Sequence, residues 1–359
     1  MQDAPPVVAV GASAGGVEAL QTLVSHFPAD LPATVLVVLH VPAGVKSRLH
    51  DVLQRAGRLP AQSAEDGEKI QAGRIVVARP DHHLILDGDR VRVARGPKEN
   101  RARPAIDVLF RSAAYSAGAR AVGVLLSGTN DDGTAGLWAI KDRGGTTLVQ
   151  TDALYPTMPE HAAQHVDIDF ALPVGEIGRK LADLVNAIDP PLKRGGETRD
   201  SLERLRMETR IAEGADALEH GFINLGPLSR NTCPECHGAL VEIQEGPIHR
   251  YCCHTGHAYS LRTLRVSTED AIETTMGNAM RALEERIMLL RELANTAERS
   301  GDADLARRCR NQTEKLQGVV DRIREFLLNK HADLHFLTVE QHAQAGAHED
   351  RGAPERSKA

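Results

Sequence analysis

Residues 7–20 read Val7-Val8-Ala9-Val10-Gly11-Ala12-Ser13-Ala14-Gly15-Gly16-Val17-Glu18-Ala19-Leu20. The β-branched run Val7 to Val10 has the length of a buried parallel strand, and Val17, Leu20 and Val24 recur at helical spacing. Ser13 then sits on the strand-to-helix turn, flanked by glycines as Gly-x-Ser-x-Gly. Glycines 11, 15 and 16 let the backbone bend sharply and bring the first free N–H groups of the helix beside the serine oxygen. Such a turn presents an exposed nucleophile with donors for a developing oxyanion. It also suits a serine N-cap on a Gly-rich turn, with no chemistry attached. A dinucleotide-binding turn fits less well, because Ser13 replaces the middle glycine of that fingerprint and His40 stands where an acidic ribose ligand belongs.

Two further apolar runs end on reactive residues. Thr34 to Leu39 leads into His40-Val41-Pro42, and Ala121 to Leu126 leads into Ser127-Gly128-Thr129-Asn130-Asp131-Asp132-Gly133. In an open parallel sheet, functional groups collect beyond the carboxyl ends of the strands, so Ser13, His40 and Asp132 converge from distant positions. The predicted fold class is therefore α/β, a doubly wound and mostly parallel sheet. A serine hydroxyl becomes nucleophilic when a neutral imidazole takes its proton, and an aspartate fixes the tautomer and offsets the charge that forms on the ring.

At this point the residues resemble the CheB-type protein-glutamate methylesterases of bacterial chemotaxis, from about Val7 to about Val185. The blocks that carry the likeness are Gly11 to Gly16, His40 to Pro42, Ala64 to Gly67, Arg103 to Phe110, and Ser127 to Gly136, in that order. The resemblance assigns the nucleophile to Ser13, the base to His40 and the third member to Asp132, with backbone N–H groups near Ala14 and Thr129 as the oxyanion hole. Thr129-Asn130-Asp131 stands where the chemotaxis enzymes usually carry Met-Gly-Asn, which leaves Asp131 as an alternative third member. The order Ser, His, Asp differs from that of the α/β-hydrolases. The implied reaction is hydrolysis of γ-glutamyl methyl esters on chemoreceptor signalling helices, with glutamine deamidation as a related activity and no catalytic cofactor. Family members commonly carry an N-terminal receiver domain, and a receiver-less arrangement is expected here. The competing reading is an esterase-fold adaptor in bacterial signalling that has lost turnover.

Composition narrows the class. The formal net charge of −6 and the lack of a basic block argue against a nucleic-acid partner. No signal-peptide core or membrane-length apolar run is present, so a cytoplasmic location without membrane insertion is expected. All five cysteines follow residue 230, a local cluster that points to metal binding instead of a disulfide framework. Cys233-Pro234-Glu235-Cys236 forms a C-x-x-C knuckle, and Cys253 with His257 supplies the second pair after two short strands around Glu245-Gly246-Pro247. Structural Zn²⁺ on Cys233, Cys236, Cys253 and His257 would be coordinatively closed. Cys252 and His254 compete for the same roles, with Cys253 preferred for its spacing to His257.

Gly73 to Ala78, His83 to Leu86 and Val91 to Val93 suggest a short antiparallel excursion that shapes a cleft, and Met158-Pro159 is expected in the cleft wall. Arg103 suits either substrate orientation or a structural ion pair. His82, His83, His161 and His165 have no assigned role. The predicted domains are a catalytic unit over 1–189, a linker and helix over 190–230, a zinc-ribbon-like module over 231–265, a helical hairpin over 266–335, and a disordered tail over 336–359. Two apolar stripes, one from Met276 to Ala294 and one from Leu305 through Cys309 to Phe326, define the hairpin, which packs on itself or on another protein such as a regulator. Composition and spacing leave the oligomeric state open.

Overall fold

The computed structural model describes residues 4–188, 199–219 and 221–346, with side chains described to residue 329 except at 199 and 200. The expected linker falls largely on 189–198, outside the described residues. In chain order the first elements are β1 (Val7–Ala12), α1 (Gly16–Ser25), β2 (Thr34–Leu39), α2 (Leu49–Ala56), β3 (Ala61–Ser63) and β4 (Arg74–Val77). Then come β5 (His83–Asp87), β6 (Arg90–Ala94), α3 (Ile106–Ala117), β7 (Ala121–Leu125), α4 (Thr134–Asp142), β8 (Thr146–Gln150), α5 (Thr157–His165), β9 (Phe170–Leu172) and α6 (Val174–Ala187). They are followed by α7 (Arg199–Ala212), β10 (Leu228–Thr232), β11 (Ala239–Glu245), β12 (Ile248–Cys253), β13 (Ala258–Ser260), α8 (Leu261–Arg299) and α9 (Ala303–Gly346). Two units divide the chain, Met1–Ser267 and Thr268–Ala359.

The first unit is built on a seven-stranded sheet in the order β3-β4-β2-β1-β7-β8-β9. Every pairing in it is parallel. Alternate residues of β1 and β2 enter separate cores: Val7, Ala9, Leu36 and Val38 face Ile106, Phe110 and Leu137, whereas Val8, Val10, Val35 and Val37 face Leu20, Leu53 and Leu181. With both faces covered by helices, β1 and β2 are apolar almost throughout, which is why these runs show no alternation. The chain leaves β1 towards β2 on one side and returns to β7 on the other. The C-terminal ends of β1, β2 and β7 therefore lie side by side at a topological switch point.

One expectation needs correction. Residues Arg74–Val77 are not part of an antiparallel excursion; they form β4, paired in parallel with β2 in the main sheet. Only β5 and β6 make the antiparallel hairpin. All three segments are short apolar runs, and their pairing direction is set by the connections: a two-residue turn makes β5 and β6 antiparallel, whereas β4 reaches β2 after a long connection that carries α2 and β3.

The rest of the first unit is a four-stranded antiparallel sheet, β10-β11-β12-β13, with α7 beside it. Gly246, in the two-residue turn between β11 and β12, has φ of 57° and lies against the Trp138 ring of α4. Buried charges fasten this sheet to the larger one. Arg111 of α3 pairs with Glu99 at 2.7 Å and with Glu208 of α7 at 3.0 Å, and Arg250 of β12 pairs with Glu208 at 2.7 Å and Glu245 at 2.6 Å. A cluster of this kind favours one docking geometry, since any displacement strands a buried charge.

In the second unit α8, from Thr268 onward, and α9 run antiparallel about the turn Ser300–Asp302, with Arg324 of α9 pairing with Glu284 of α8 at 2.8 Å. Ile287, Ala294, Ala297, Ala306, Cys309 and Val320 are buried between the stripes, and Cys309 is a core residue there. The expected disorder from 336 onward is replaced by helical backbone as far as Gly346, and 347–359 lie outside the described residues. No helix among the described residues is long and apolar enough to cross a membrane.

Helices α3 and α4 approach closely at Gly136 of α4, where a Cβ would stand 2.3 Å from Phe110 Cβ and 3.2 Å from Asp107 Cα. Overpacking there outweighs the gain in helix propensity. Gly136→Ala is expected to lose about 1–3 kcal/mol, read as a lower urea midpoint.

Candidate functional site

Hydrogen bonding between β1 and β7 continues past both strand ends and brings their loops together. Leu126 N–H donates to Gly11 O at 2.9 Å and Ser13 N–H to Ser127 O at 2.9 Å. The Ser127 hydroxyl then donates to Ala14 O at 2.8 Å and accepts from Tyr155 N–H at 3.0 Å. Its own N–H is held by Gln150 Oε1 at 3.0 Å. Gly15, with φ of 68°, makes the turn that no β-carbon would tolerate, since one would stand 2.9 Å from the Ser127 hydroxyl. The backbone around Ser13 is thus clamped from the neighbouring strand tip.

His40 follows β2 directly, its N–H donating to Ala12 O at 3.1 Å. Its ring bridges the two other predicted residues: Nδ1 lies 3.2 Å from Ser13 Oγ, and Nε2 lies 2.8 Å from Asp132 Oδ2. Because Asp132 is an acceptor, the neutral ring carries its proton on Nε2 and turns the Nδ1 lone pair to the serine hydroxyl.

Asp132 is fully buried and receives four hydrogen bonds, two on each oxygen. Oδ2 accepts from His40 and from Ile106 N–H at 2.7 Å; Oδ1 accepts from Asp107 N–H at 3.1 Å and from Asn100 Nδ2 at 3.1 Å. Ile106 and Asp107 open α3, so the carboxylate occupies the positive end of that helix and satisfies two N–H groups that lack intrahelical partners. Burial alone raises its pKa. The hydrogen bond and charge of His40, together with Ile106 N–H and the Asn100 amide, reverse that effect and hold it at about 2. Its neighbour Asp107 behaves oppositely: burial, then the charges of Asp132 and Glu99, push it well above the usual carboxylate range. The two adjacent carboxyls are set apart by environment, the pKa of one lowered and that of the other raised.

Asp131 faces elsewhere. Burial raises its pKa, and the groups that oppose this are the Ser260 hydroxyl and Arg262, not His40. Among the described residues, the Ala14 and Thr129 N–H groups have no protein acceptor, and Ser13 Cβ lies 3.0 Å from where Gly128 would carry its own Cβ. Arg103 is occupied by Asp81, at 2.6 Å and 2.9 Å, and by Gly96 O at 2.6 Å, which is a structural ion pair. Met158 is buried behind Gly128 and is no part of an open wall. His83 bonds Pro97 O at 2.8 Å, and His161 meets Thr134 Oγ1 at 3.0 Å.

The cysteine cluster gathers as a second site. Ligand atoms of Cys233, Cys236, Cys253 and His257 all lie within 4.8 Å of one another. The separations are 3.5 Å between Cys236 and Cys253 Sγ, 3.7 Å from Cys233 Sγ to His257 Nδ1, and 3.6 Å from Cys253 Sγ to the same nitrogen. A tetrahedron with Zn–S bonds near 2.3 Å has edges of about 3.8 Å, so the donor set fits that ion. The outer partners are in place as well. Thr255 Oγ1 donates to Cys236 Sγ at 3.3 Å, Tyr259 OH lies 3.4 Å from Cys233 Sγ, and Glu235 meets the other nitrogen of His257 at 3.3 Å. Cys252 points to the opposite face of β12, into the core of Val241 and Ile243, because neighbours on a strand alternate.

Residues 8–181 match the family model described as CheB methylesterase. They form a CheB methylesterase domain. A protein-glutamate methylesterase/protein-glutamine glutaminase from Anaeromyxobacter dehalogenans is 39% identical over 180 residues, covering 50% of this chain and 53% of that protein. One from Halobacterium salinarum is 36% identical over 187 residues, covering 50% and 54%. The crystal structure of the Thermotoga maritima CheB methylesterase catalytic domain is 30% identical, covers 50% of this chain and 99% of that one, and has a TM-score of 0.49. The chain spans about half the length of the curated relatives it matches.

Ser127, Gln150 and Asn100, which hold the methylesterase domain's three-residue group in place, were not singled out from the sequence. A polar Gln150 closing the apolar strand Leu148-Val149 is the one local signal available.

The pH dependence of Asp132 follows from its lowered pKa. Its ionised form favours the folded state above the ordinary value of 3.8, and that stabilisation fades as pH falls towards about 2. The stability gap between the native chain and Asp132→Asn, from urea unfolding, is expected to be full above this window and to close within it.

Proposed function

We propose that this chain is a serine hydrolase that removes methyl groups from glutamate methyl esters on chemoreceptor-type signalling proteins, and deamidates glutamines by the same route. The observation that carries the reading is the position of His40, 3.2 Å from Ser13 Oγ on one ring nitrogen and 2.8 Å from Asp132 on the other. Ser13 Oγ attacks the ester carbonyl while His40 Nδ1 takes its proton, and Asp132 offsets the charge on the imidazolium. The tetrahedral oxyanion falls to the Ala14 and Thr129 N–H groups, and their lack of a protein acceptor among the described residues supports this role. His40 returns the proton to the departing methanol, then activates water to release the acyl-enzyme as a glutamate. The product restores a negative charge to a surface helix, a small chemical change with consequences for helix packing.

The metal centre on Cys233, Cys236, Cys253 and His257 is assigned to structural Zn²⁺. Four protein ligands leave no position for a reacting water, and the metal would supply folding free energy alone. Exposed apolar side chains in the second unit, Leu289 and Leu328 among them, support a protein contact on the helical hairpin.

Methanol release from a methylated receptor or a glutamyl methyl ester peptide tests the catalytic reading. Ser13→Ala is expected to lose on the order of 10⁴-fold in kcat with folding retained. No release by the native chain, with no labelling of Ser13 by a serine-directed probe, would leave the adaptor reading. Metal analysis tests the second assignment: about one zinc per chain is expected, falling with melting temperature in Cys233→Ser.

A further inference from the structure

Asn100 is buried and occupies the first central position of a tight turn in which Glu99 and Ala102 exchange backbone hydrogen bonds of 2.8 Å and 3.2 Å. Its φ is 49° and that of Arg101 is 68°, a pair of left-handed residues that asparagine accepts at low cost. All four bonding positions of its amide are used. The two hydrogens on Nδ2 go to separate carboxyls, Asp107 Oδ2 at 2.9 Å and Asp132 Oδ1 at 3.1 Å. Oδ1 accepts from Ser260 N–H at 2.8 Å and from the Thr263 hydroxyl at 3.0 Å. Donors on one side and carboxyls on the other fix which end of the amide is nitrogen.

The backbone is tied to the same place. Asn100 N–H donates to Ala258 O at 2.9 Å, and Ala258 N–H donates to Lys98 O at 3.3 Å. Ala258 directly follows His257, so β13 starts where the Cys/His cluster ends. Ser260 and Thr263 lie outside residues 8–181. Within the methylesterase domain proper, Asn100 Oδ1 has neither of its donors.

We propose that Asn100 is a positioning residue for Asp132, and that β13 and the first turn of α8 hold it there, so that the segment after the metal-ligand cluster completes the frame of the active site. Asn100 aims one of the four hydrogen bonds that orient the carboxylate towards His40. The Ser260 N–H and the Asp132 carboxylate prevent its amide from turning over, since a flipped amide would set its nitrogen against an N–H that cannot accept and its oxygen against an ionised carboxylate, and the Thr263 hydroxyl adds a second bond to the oxygen. The inference rests on the triad role given to Asp132.

The test compares the full chain with Asn100→Ala, Thr263→Val and Thr263→Ser. Each is measured for kcat and KM on a glutamyl methyl ester peptide, for the rate of Ser13 labelling by a fluorophosphonate, and for melting temperature. The proton resonance of His40 Nε2–H, which reports its bond to Asp132 without turnover, is recorded for each. Asn100→Ala is expected to lower kcat and labelling by about ten- to a hundredfold, the value of one hydrogen bond to a charged group. KM should stay within about twofold, because the contact bears on the reacting groups and not on uniform binding. Thr263→Val, which keeps the shape and removes the hydroxyl, is expected to lose roughly three- to tenfold and to shift the His40 resonance in the same direction. Thr263→Ser is expected to restore both.

Wild-type rates and an unmoved resonance in Asn100→Ala and Thr263→Val overturn the proposal, as does a Thr263→Ser variant as impaired as Thr263→Val. Should Asn100→Ala fail to fold, the Thr263 pair decides alone. If the native chain hydrolyses no ester, the resonance still reports whether Asn100 positions Asp132, so the two readings fail separately.

Discussion

The site depends on a single buried carboxylate. Asp132 has no access to water, and a charge in that position is tolerable only because four donors converge on it. The donors come from three parts of the chain: the end of β2, the start of α3, which supplies two of them, and a tight turn ahead of that helix. Satisfying the carboxylate therefore fixes the relative positions of these segments, and the His40 ring orientation follows from the same requirement. The helix N-terminus does more than stabilise the charge. It makes the placement of Asp132 a condition of packing α3 against the sheet, because Ile106 is at once a donor to the carboxylate and a core side chain.

A second consequence concerns Asp107. Placing two carboxyls within reach of one asparagine amide would be unfavourable if both were ionised, and the environment answers this by raising the pKa of the more weakly supported one and lowering that of the other. The balance is set by donor number. Asp132 has the helix terminus, the imidazole and the amide, whereas Asp107 has Gly136 N–H and the shared amide. The buried cluster of Arg111, Arg250, Glu99, Glu208 and Glu245 lies close behind and follows the same logic, charges that are acceptable only in one arrangement. Through Glu99 that cluster adjoins the Asn100 turn, so the antiparallel sheet and the methylesterase domain meet at the point where the site is framed.

Much of this was legible in the chain. Val7 to Val10, Thr34 to Leu39 and Ala121 to Leu125 are apolar without alternation, the mark of strands covered on both faces, and a polar residue that belongs to the site or its frame follows each within three positions. A parallel sheet sends all such tips to one edge, so the meeting of Ser13, His40 and the Asp131-Asp132 pair followed from order and direction alone. Asp131 and Asp132 were harder to separate, because adjacent residues in a loop differ only in where the backbone points them. Cys252 and Cys253 pose the same problem on a strand, where side-chain parity settles it.

What the linear order determined was which elements exist and which reactive residues stand at their ends, because periodicity and turn chemistry are local. The pairing of β4 into the main sheet, the choice of Asp132, and the roles of Ser127 and Asn100 were decided only by tertiary structure. Asn100 shows the reason most directly: the donors to its amide oxygen lie 160 and 163 residues away, on elements whose own sequences carry no mark of that contact. A hydrogen bond across that separation exists because two packed sheets bring the groups together, and no pattern along the chain encodes the distance between them.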